Sequence, residues 1–595
     1  MSRHHGAATG PTRDRTRLGL LWSFTQPHRG ALLAGLLLGL LASAAGLATP
    51  MITKLVLDTL GGHASLRVPV AALAGLLVLS ATIRCVQMVL LGAAGERIAL
   101  GARKSLVHRL VRVTVPTLIS RPTGELVARV TLDPVLLRDA ASTSVVALIN
   151  GTVMLVGTLI LMGVLDPALL VTTVTALTLA ALLFMLLMPG IADEQQTTQR
   201  HLAQAGGVLE GTLRAIRSVK AGRAEDRQAD RVVGAADEAC RHAIRAVRRK
   251  AIAETIAWAG VDLAIIVVIA AGAWRVNAGA MTLSSLIAFL LYAFGLMDPV
   301  TELSANISTL QSGIAAAARM LEIQALDTEA DSTQVDSIAR PPGCGTGRVD
   351  APLIEFRCVT AGYGAHRHVV QDLDLVIPRT GQLAIVGPSG AGKTTVLSLI
   401  MRFLEPREGE VLLLGEPYCR YTHAEIRRRM ALVEQEVPVV PGTIRDNLTL
   451  TYQDASESEM QKALAKVQLA EHISALERGL DTDLTSSPLS VGQRQRIALA
   501  RAIIRPSEIL LLDEATAHVD GLTEAAIQAC VRDQAREQMV ITVAHRLSTV
   551  TDADSIVVMH NGRIRSQGRH PELLRTDDLY CDLVDSLRIG GSASS

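Results

Sequence analysis

The sequence is poor in aromatic and charged residues for a chain of 595 residues. Phenylalanine, tryptophan and tyrosine together make up 3% and charged residues 19%, whereas 49% of the residues are hydrophobic. With a mean hydropathy of +0.32, this composition is rare among soluble proteins of similar size and predicts a membrane protein. The 58 basic and 57 acidic residues nearly cancel, so the charge gives no sign of a nucleic-acid partner.

Cysteine is also scarce, and a cleavable targeting signal is not expected. The seven cysteines are scattered, and no C-x-x-C pair or histidine cluster gives the spacing of a metal site. Isolated cysteines of this kind are typical of small buried apolar residues in a reduced, cytosolic compartment. Residues 1–30 are basic and polar and have no apolar core followed by a small-residue cleavage site, so no cleavable signal peptide is expected.

Long apolar runs are what the first half of the chain does contain. Six of them are long enough to cross a bilayer, which takes about 20 helical residues. Only Asp166 and Pro167 separate the third run from the fourth, which predicts a tight hairpin between antiparallel helices. The approximate spans are 31–52, 70–92, 145–165, 168–188, 256–276 and 281–299.

The connections between these spans differ in length and in charge. Segments 93–144 and 189–255 are long, helix-periodic and rich in arginine, whereas the connections on the opposite side are short and carry few basic residues. The positive-inside rule therefore places both termini and both long connections in the cytoplasm, which predicts a multi-pass protein of the cytoplasmic membrane. Within the first connection, Arg121–Glu125 predicts a break followed by a short helix that could dock on another domain.

The composition changes again near residue 350, where short apolar runs begin to alternate with amphipathic helices. The fold class predicted for the whole chain is a membrane α-helical bundle of six transmembrane helices with long cytoplasmic extensions, followed by a C-terminal α/β domain. The phosphate-loop pattern G-x-x-x-x-G-K-T at Gly387–Thr394 predicts that this is a P-loop ATPase domain. The expected divisions are a cytoplasmic segment 1–30, a transmembrane domain 31–323, a linker 324–350, an ATP-binding domain 351–588 and a disordered tail 589–595.

Gly387–Thr394 has the pattern G-x-x-x-x-G-K-T of a phosphate-binding loop. A buried strand, Leu383–Val386, is expected before it and a helix after it, as this motif requires. The glycines let backbone N–H groups turn toward phosphates, while Lys393 is expected to reach the β- and γ-phosphates and Thr394 to bind Mg²⁺. The expected ATP contacts here are Gly387, Ser389, Gly390, Gly392, Lys393, Thr394 and Thr395.

A second apolar strand, Ile509–Asp513, ends in an acid. Asp513 is placed to hold Mg²⁺, and Glu514 is the natural general base for the attacking water. An acidic pair at a strand end can also be a helix cap without a catalytic role, but the phosphate loop elsewhere in the chain favours catalysis. His545 follows the apolar run 539–544 and could contact the γ-phosphate, although a lone histidine at a strand end is often only a surface residue.

Leu489–Arg496 and the helix-like run that follows, ahead of the Asp513–Glu514 strand, resemble the signature region of the ATP-binding cassette family. With the six spans and the two long connections, nearly the whole chain is similar to exporter-type half-transporters of that family. Arg121–Glu125 resembles its first coupling-helix region, and Ile216–Ala221 resembles a stretch of its second long connection. The resemblance implies further site residues: Tyr363 stacking on adenine, Gln435 near Mg²⁺ or water, Ser490, Gly492 and Gln493 on the partner's γ-phosphate, Asp520 in the D-loop and His545 as switch histidine.

In that family each ATP lies between two ATPase domains, so one domain per chain implies a dimer of half-transporters. Val491 stands where the family signature usually has glycine, and segment 483–488 replaces a longer stretch that usually precedes the signature. One hypothesis is a weakened signature and a heterodimer with a different half-transporter; the alternative is an ordinary homodimer. Export is favoured, while import on the same fold, as in siderophore uptake, and an ATP-gated channel or regulatory subunit remain alternatives.

Arg84 falls within the second predicted span and Asp262 within the fifth. Such groups are costly in lipid and usually face a partner or a cavity. A structural pair between Arg84 and Asp262 is favoured over contact with the transported solute. The identity of that solute is not predicted, and the scarcity of aromatic residues does not suggest an aromatic-lined drug pocket.

Overall fold

The computed structural model describes residues 19, 22–61, 66–329, 351–364, 368–434, 440–484, 489–513, 521–544 and 546–592. The chain divides into two compact units. The transmembrane unit comprises residues 1–108 and 123–325, and the ATP-binding unit comprises residues 109–122 and 326–595. The second unit therefore includes a short segment that lies far upstream of the predicted linker.

Up to residue 324 the described chain is almost entirely helical, as its apolar and helix-periodic sequence predicts. A π-helical turn, Asp139–Ser144, joins α5 to α6. The helices are α1 (Arg29–Gly61), α2 (Arg67–Leu110), α3 (Val115–Ile119), α4 (Thr123–Thr131), α5 (Asp133–Arg138), α6 (Val145–Leu165), α7 (Pro167–Arg214), α8 (Ile216–Ala221), α9 (Glu225–Asn277), α10 (Leu283–Gly295) and α11 (Met297–Gln324).

Five helical stretches of the described chain are long and apolar enough to cross a membrane. They contain the first, second, third, fifth and sixth predicted spans. The fourth span, 168–188, is helical within α7, but its described apolar part is the shorter Pro167–Ala176, because the side chains at 177, 180, 181 and 183–192 lie outside the description. The five stretches are Trp22–Leu60, Arg67–Leu110, Thr123–Leu165, Glu225–Asn277 and Leu283–Gln324.

The predicted hairpin between the third and fourth spans is confirmed. Helix α6 ends at Leu165, α7 begins at Pro167, and the carboxylate of Asp166 between them accepts hydrogen bonds from two N–H groups of the first turn of α7. The same carboxylate accepts a 2.7 Å bond from Arg275 near the end of α9. One buried acid thus caps a helix and ties the hairpin to the fifth membrane helix.

The apolar core of the transmembrane unit lies where α6, α7, α9 and α10 meet. Met162, Leu169, Phe289 and Tyr292 are among its buried side chains. Other large apolar residues on the spans are instead exposed, such as Leu77 with 70% of its surface accessible. Exposed apolar side chains along such helices are typical of a surface that faces lipid.

The ATP-binding unit contains a four-stranded antiparallel sheet with the order β2-β1-β4-β5 and a six-stranded sheet with the order β10-β9-β3-β8-β7-β6. In the larger sheet β3, β6, β7, β8 and β9 run parallel and β10 is antiparallel to β9. The strands are β1 (Ile354–Ala361), β2 (Val370–Ile377), β3 (Gly381–Val386), β4 (Glu408–Leu413), β5 (Glu416–Pro417), β6 (Met430–Val433), β7 (Ile509–Asp513), β8 (Met539–Val543), β9 (Ser555–His560) and β10 (Arg563–Gly568).

Helices pack against the sheets, and two large apolar clusters lie between the helices and the strands. Strands β7 and β8 are buried at every position, as their uninterrupted apolar sequences predict for central parallel strands. The helices of this part are α12 (Lys393–Ile400), α13 (His423–Arg428), α14 (Ile444–Thr449), α15 (Glu457–Lys466), α16 (Ala470–Ser474), α17 (Val491–Ile504), α18 (Gly521–Ala535), α19 (Leu547–Thr551), α20 (His570–Thr576) and α21 (Asp578–Ser592).

Residues 109–122 bind the start of the segment that follows α11. Arg109 donates a 2.8 Å hydrogen bond to the carbonyl of Leu326, and Val113 forms an isolated β-bridge with Thr328. Glu329 in turn accepts two bonds, of 2.6 and 2.7 Å, from the guanidinium of Arg427 in α13. These contacts join both segments to the folded ATP-binding unit.

Candidate ATP-binding site

The predicted phosphate loop connects β3 to α12, as its motif requires. Gly387 has φ +154° and Gly392 has φ +101°, a backbone region that L side chains rarely adopt. A Cβ atom on Gly387 would also overlap the carbonyl oxygen of Met559. The glycines are therefore needed for the turn that directs the first N–H groups of α12 into the loop.

Lys393 begins α12 and is 93% buried. Its Nζ donates hydrogen bonds of 2.8 and 3.0 Å to the carbonyls of Gly387 and Pro388 at the other end of the loop. The ammonium group therefore lies across the loop, where it could also contact phosphate oxygens. Thr394 exposes its side chain in the first turn of α12, whereas Thr395 is buried.

Strand register places Asp513 near this loop. Asp513 at the end of β7 and Ile385 in β3 are both paired with Val543 of the intervening strand β8. Because neighbouring strands are about 4.8 Å apart, the backbones of Asp513 and Ile385 are separated by roughly 10 Å. Asp513 is 93% buried, so its carboxylate is held at the C-terminal end of the parallel strands, where the phosphate loop begins.

The turn between β9 and β10 supports the phosphate loop from behind. The N–H of Gly562 donates to the carbonyl of Ala391 at 3.2 Å, and the carbonyl of Gly562 accepts from Gln371 at 2.9 Å. Gly562 has φ +78°, and a Cβ there would overlap the carbonyl of Val369. This support could not be predicted from the sequence, because these residues are distant from the loop along the chain.

Tyr363 lies beside the phosphate-loop helix, and 40% of its surface is accessible. Its hydroxyl donates to Ser398 of α12 at 3.3 Å, which ties the side chain to this helix. Arg407 fixes this turn by donating to the carbonyls of Gly362 and Gly364. Arg407 was missed by the sequence analysis, since a lone arginine carries no motif.

The signature segment forms the N-terminus of α17. Ser490 is the N-cap, its hydroxyl accepts from the N–H of Gln493 at 3.2 Å, and the Gln493 side chain accepts from the N–H of Ser490 at 2.8 Å. This capping box fixes both side chains. The Gln493 amide nitrogen also lies 3.0 Å from Nε2 of His472, a contact that sequence analysis did not anticipate.

Val491 is the first residue of α17, with 65% of its surface accessible, and it is not among the described residues with positive φ. The backbone at this position therefore does not require glycine, and the restriction expected from a β-branched residue produces no strain. Gly492 follows in the same helical turn. Burial lowers the pKa of Arg501 farther along α17, an effect that Glu434 opposes.

Several predicted site residues lie outside the described residues. They include the segment 485–488 before the signature and residues 435–439 after Glu434. The roles expected for the Q-loop, general-base, D-loop and switch residues therefore stay predictions. These residues are Gln435, Glu514, Asp520 and His545.

The donor set at the end of β7 and the start of α12 is suited to Mg²⁺. The carboxylate of Asp513 and the hydroxyl of Thr394 are hard oxygen ligands of the kind that Mg²⁺ prefers, and no thiolate or imidazole is required. Magnesium normally bridges such groups to nucleotide phosphates rather than occupying a site made only of protein ligands. Two protein oxygens beside a phosphate loop therefore fit a nucleotide-bound Mg²⁺.

Arg84 and Asp262 do not form the expected pair. Within the described chain, no ion pair joins Arg84 to Asp262. Asp262 is exposed on α9, whereas Arg84 on α2 lines a cavity of about 730 Å³ in the transmembrane unit. The helices thus give the two side chains different surroundings, and Asp262 is not among the residues that line this cavity. The sequence could not anticipate the cavity, because its lining comes from helices that are distant along the chain.

Comparisons with known proteins agree with the two-part architecture. Residues 32–300 match the family described as "ABC transporter transmembrane region", and residues 370–517 match the family described as "ABC transporter". The chain is 30% identical over 485 residues to an ATP-dependent lipid A-core flippase of Chromobacterium violaceum, a match that covers 81% of both chains. It is 29% identical to a mitochondrial potassium channel ATP-binding subunit of Mus musculus, over 98% of this chain and 83% of that protein.

A solved structure has the same fold along nearly the whole chain. It is a bacterial Atm1-family ABC exporter with ATP bound, which is 25% identical, covers 94% of this chain and 98% of its own, and superposes with a TM-score of 0.76. A multi-pass helical region and an ATP-binding unit with a phosphate loop are therefore fused in one chain. The protein belongs to the ATP-binding cassette transporter family, as an exporter-type half-transporter whose ATPase activity is coupled to movement of a substance across a membrane.

Proposed function

We propose that this chain pairs with a second half-transporter in the cytoplasmic membrane and exports a solute by alternating access, driven by ATP and Mg²⁺. The observation that carries the proposal is the strand–loop–helix site of β3 and α12, with Lys393 across its loop and Asp513 at the adjoining sheet edge. The similarity to an exporter named as having ATP bound supports the same reading. The solute would enter the transporter from the cytoplasmic side.

Binding begins at the phosphate loop. The N–H groups turned inward by Gly387 and Gly392 donate to the phosphate oxygens, and the ammonium of Lys393 exchanges its carbonyl acceptors for the β- and γ-phosphates. Tyr363 stacks on the adenine ring. Phosphate charge is therefore neutralised by groups that the fold has already positioned, which lowers the entropy lost on binding.

Hydrolysis requires a base and a bound Mg²⁺. Thr394 and Asp513 would hold the ion, which supplies positive charge where negative charge develops on the phosphates. Glu514, directly after Asp513, takes a proton from the attacking water. His545 contacts the γ-phosphate, and Gln435 orients the water and responds to the transmembrane helices.

The second half of each site comes from the partner chain. Ser490 and its capping box present an N-terminal helix turn to the γ-phosphate of the partner's nucleotide, together with Gly492 and Gln493. Asp520 lies at the same interface. ATP therefore holds the two chains together, and its hydrolysis releases them, so that the transmembrane helices alternate between two arrangements.

Glu514→Gln tests the proposal. We expect the variant to retain ATP binding and ATP-dependent dimer formation but to hydrolyse ATP at least about 100-fold more slowly, because the general base is lost. The matched control is Glu537→Gln, an exposed acid in the same unit, which should leave the rate unchanged. If Glu514→Gln turned over ATP and moved solute as fast as the unaltered chain, the proposal would fail.

The composition of the dimer is tested at Val491. Its helical backbone supports a homodimer with two working signatures, whereas a heterodimer would combine one strong and one weak site. The chain purified alone should hydrolyse ATP, and Val491→Gly should change its rate less than about threefold, a difference near 0.7 kcal/mol. An inactive homodimer that Val491→Gly activates strongly would establish the heterodimer instead.

A channel-linked role is the second candidate, since one relative is named as a potassium channel ATP-binding subunit. Proteoliposomes separate the two functions. A pump accumulates solute against its gradient and stops when Glu514 is replaced, whereas an ATP-gated pathway passes K⁺ only down its gradient. Uptake into inside-out vesicles indicates export, and ATP-driven loss from them indicates import.

A further inference from the structure

A cavity of about 730 Å³ lies in the transmembrane unit between α1, α2, α6 and α11. Its volume is within the range of about 300 to 1,000 Å³ that is typical of small-molecule sites. Two of the lining positions, Gly39 and Arg84, lie inside predicted membrane spans, whereas Glu96 and Arg138 lie in the segment assigned to the cytoplasm. The cavity therefore extends from the membrane toward the cytoplasmic end of the bundle.

Two carboxamides form the membrane end of this cavity. The amide nitrogen of Gln87 on α2 donates a 3.0 Å hydrogen bond to the carbonyl of Gly35 on α1. The side chain of Asn150 on α6 lies against Gly39, where any Cβ atom would overlap its amide group. Asn150 lines the cavity, and its buried amide oxygen accepts no hydrogen bond from the described residues.

The charged groups of the cavity are unequal in number. Four carboxylates and two guanidinium groups line it, which leaves a net charge of −2. Arg138 is already neutralised, because it binds Glu96 at 2.5 Å and Asp139 at 2.8 Å. Arg84 is the other cation, and it forms no ion pair within the described chain.

Asp298 and Glu302 are the other two carboxylates of the lining. They are four residues apart on α11, so they lie on one face of that helix. Among the residues that the structure describes, neither carboxylate has a hydrogen-bond or ion-pair partner, although their backbone carbonyls accept from Thr301 and Asn306. Two like charges at this spacing repel each other, and a cation between them would relieve the repulsion.

The described lining contains no phenylalanine, tyrosine or tryptophan. A ligand cation is therefore not held by aromatic faces, and any charge preference must come from the carboxylates. The remaining lining is small or aliphatic, including Ala42, Leu91 and Met154. The cavity thus combines an acidic face, two amides and an apolar wall.

We propose that this cavity binds an amphiphilic solute carrying a positively charged amine. Asp298 and Glu302 are the counter-ions of the amine, the carboxamides of Gln87 and Asn150 contact its neutral polar part, and Arg84 opposes the binding of the charge. This assignment rests on the proposed function, because it identifies the chemical class that the transporter would move.

Three fluorescent probes of similar size test the charge preference. They are dansylcadaverine with a terminal ammonium, 6-(dansylamino)hexanoate with a carboxylate, and N-pentyl dansylamide with neither. Binding is measured by fluorescence on the full-length chain in lipid nanodiscs without nucleotide. We expect the ammonium probe to bind at least tenfold more tightly than the carboxylate probe, and raised ionic strength to reduce this ratio.

Substitutions should then shift affinity in opposite directions. The double variant Asp298→Asn with Glu302→Gln should weaken binding of the ammonium probe at least tenfold and leave the uncharged probe unaffected. Arg84→Gln should tighten binding of the ammonium probe a few-fold, because it removes a like charge. Asp262→Asn is the matched control, since Asp262 is a membrane-span acid outside the described lining, and it should change nothing.

Equal binding of the ammonium and carboxylate probes would overturn the proposal, as would an unchanged affinity in the double acid variant. If that variant fails to fold, the Arg84→Gln result decides, because unchanged or weaker ammonium binding there also contradicts the charge assignment. The measurement uses no ATP hydrolysis. A chain that hydrolyses ATP but lacks the preference refutes this inference alone, and a chain that shows the preference without pumping refutes the proposed function alone.

Discussion

Glycine serves different purposes in the two units. In the transmembrane unit, Gly35, Gly39 and Gly157 have ordinary helical backbones, and a Cβ atom on each would overlap a side chain of a neighbouring helix. In the ATP-binding unit, Gly387 and Gly562 have positive φ, and a Cβ atom would overlap a backbone carbonyl. A side chain can change rotamer, whereas a carbonyl within a sheet cannot move without disturbing its neighbours. We therefore expect the same substitution to be tolerated far better in the first unit.

The largest effect is expected for Gly387→Ala. The new side chain meets both a disfavoured φ and the carbonyl of Met559, so the turn between β3 and α12 must distort. We expect the ATPase rate to fall about 100-fold, which corresponds to about 2.7 kcal/mol. The matched control is Gly415→Ala, at φ +82° with only a van der Waals neighbour, which should cost about 1 kcal/mol of stability without loss of rate. Equal rates in both variants would break the comparison.

The second largest effect is expected for Asp133→Asn, which tests how the helical unit uses charge. The Asp133 side chain is 95% buried and accepts three hydrogen bonds of 2.6 to 3.2 Å from Arg319 of α11. We expect a loss of about 2 to 3 kcal/mol in the free energy of unfolding, below the value for a fully buried pair because Arg319 is 38% exposed. Glu210→Gln, in an exposed pair with Arg214, should cost at most about 0.5 kcal/mol. Denaturant titration of both variants measures the difference.

A smaller effect is expected for Gly157→Ala. Its Cβ atom would overlap Leu47 on α1, which can change rotamer, so we expect a loss of about 1 kcal/mol and a nearly normal ATPase rate. Gly101→Ala sharpens the comparison, because no atom lies within 4 Å of a Cβ there. Alanine should stabilise that helix by up to about 1 kcal/mol. Thermal unfolding in nanodiscs should therefore show shifts of opposite sign, and shifts of equal sign would contradict the packing argument.

The smallest effect is expected from pH at the contact between α7 and α9. A 2.7 Å hydrogen bond from His242, aided by the charges of Arg245 and Arg249, lowers the pKa of Glu194. A carboxyl group whose pKa is lower in the folded chain than in the unfolded chain contributes to stability. This contribution is complete at pH values above its unfolded pKa of about 4.3. That contribution is lost as the pH falls through the lower folded pKa. Glu194→Gln should therefore make thermal unfolding less dependent on pH below about 4.5.

The sequence predicted the structure best where a feature depends on residues that are close together along the chain. The phosphate loop, the strand ending at Asp513 and the hairpin at Asp166 all follow from short patterns whose geometry is local. The membrane spans are equally local, because about 20 apolar residues suffice to define one.

Contacts between distant segments could not be predicted. The acidic face formed by Asp298 and Glu302, the support of the loop by Gly562 and the contact between His472 and Gln493 depend on how helices and strands pack. Helical periodicity gives one face of one helix but does not identify the helix opposite. The expected pair of Arg84 with Asp262 failed for this reason, since both lie in spans but only Arg84 reaches the cavity.

The assignment of residues 109–122 to the ATP-binding unit has a mechanical consequence. The polypeptide passes between the two units three times, near residues 108, 122 and 325, so residues 109–122 connect the units covalently in addition to the chain that follows residue 325. Residues 109–122 are held by the β-bridge between Val113 and Thr328. The adjacent Glu329 accepts a hydrogen bond from the guanidinium of Arg427. The chain segments that follow the second and sixth membrane helices are therefore tied to each other and to α13 within the ATP-binding unit.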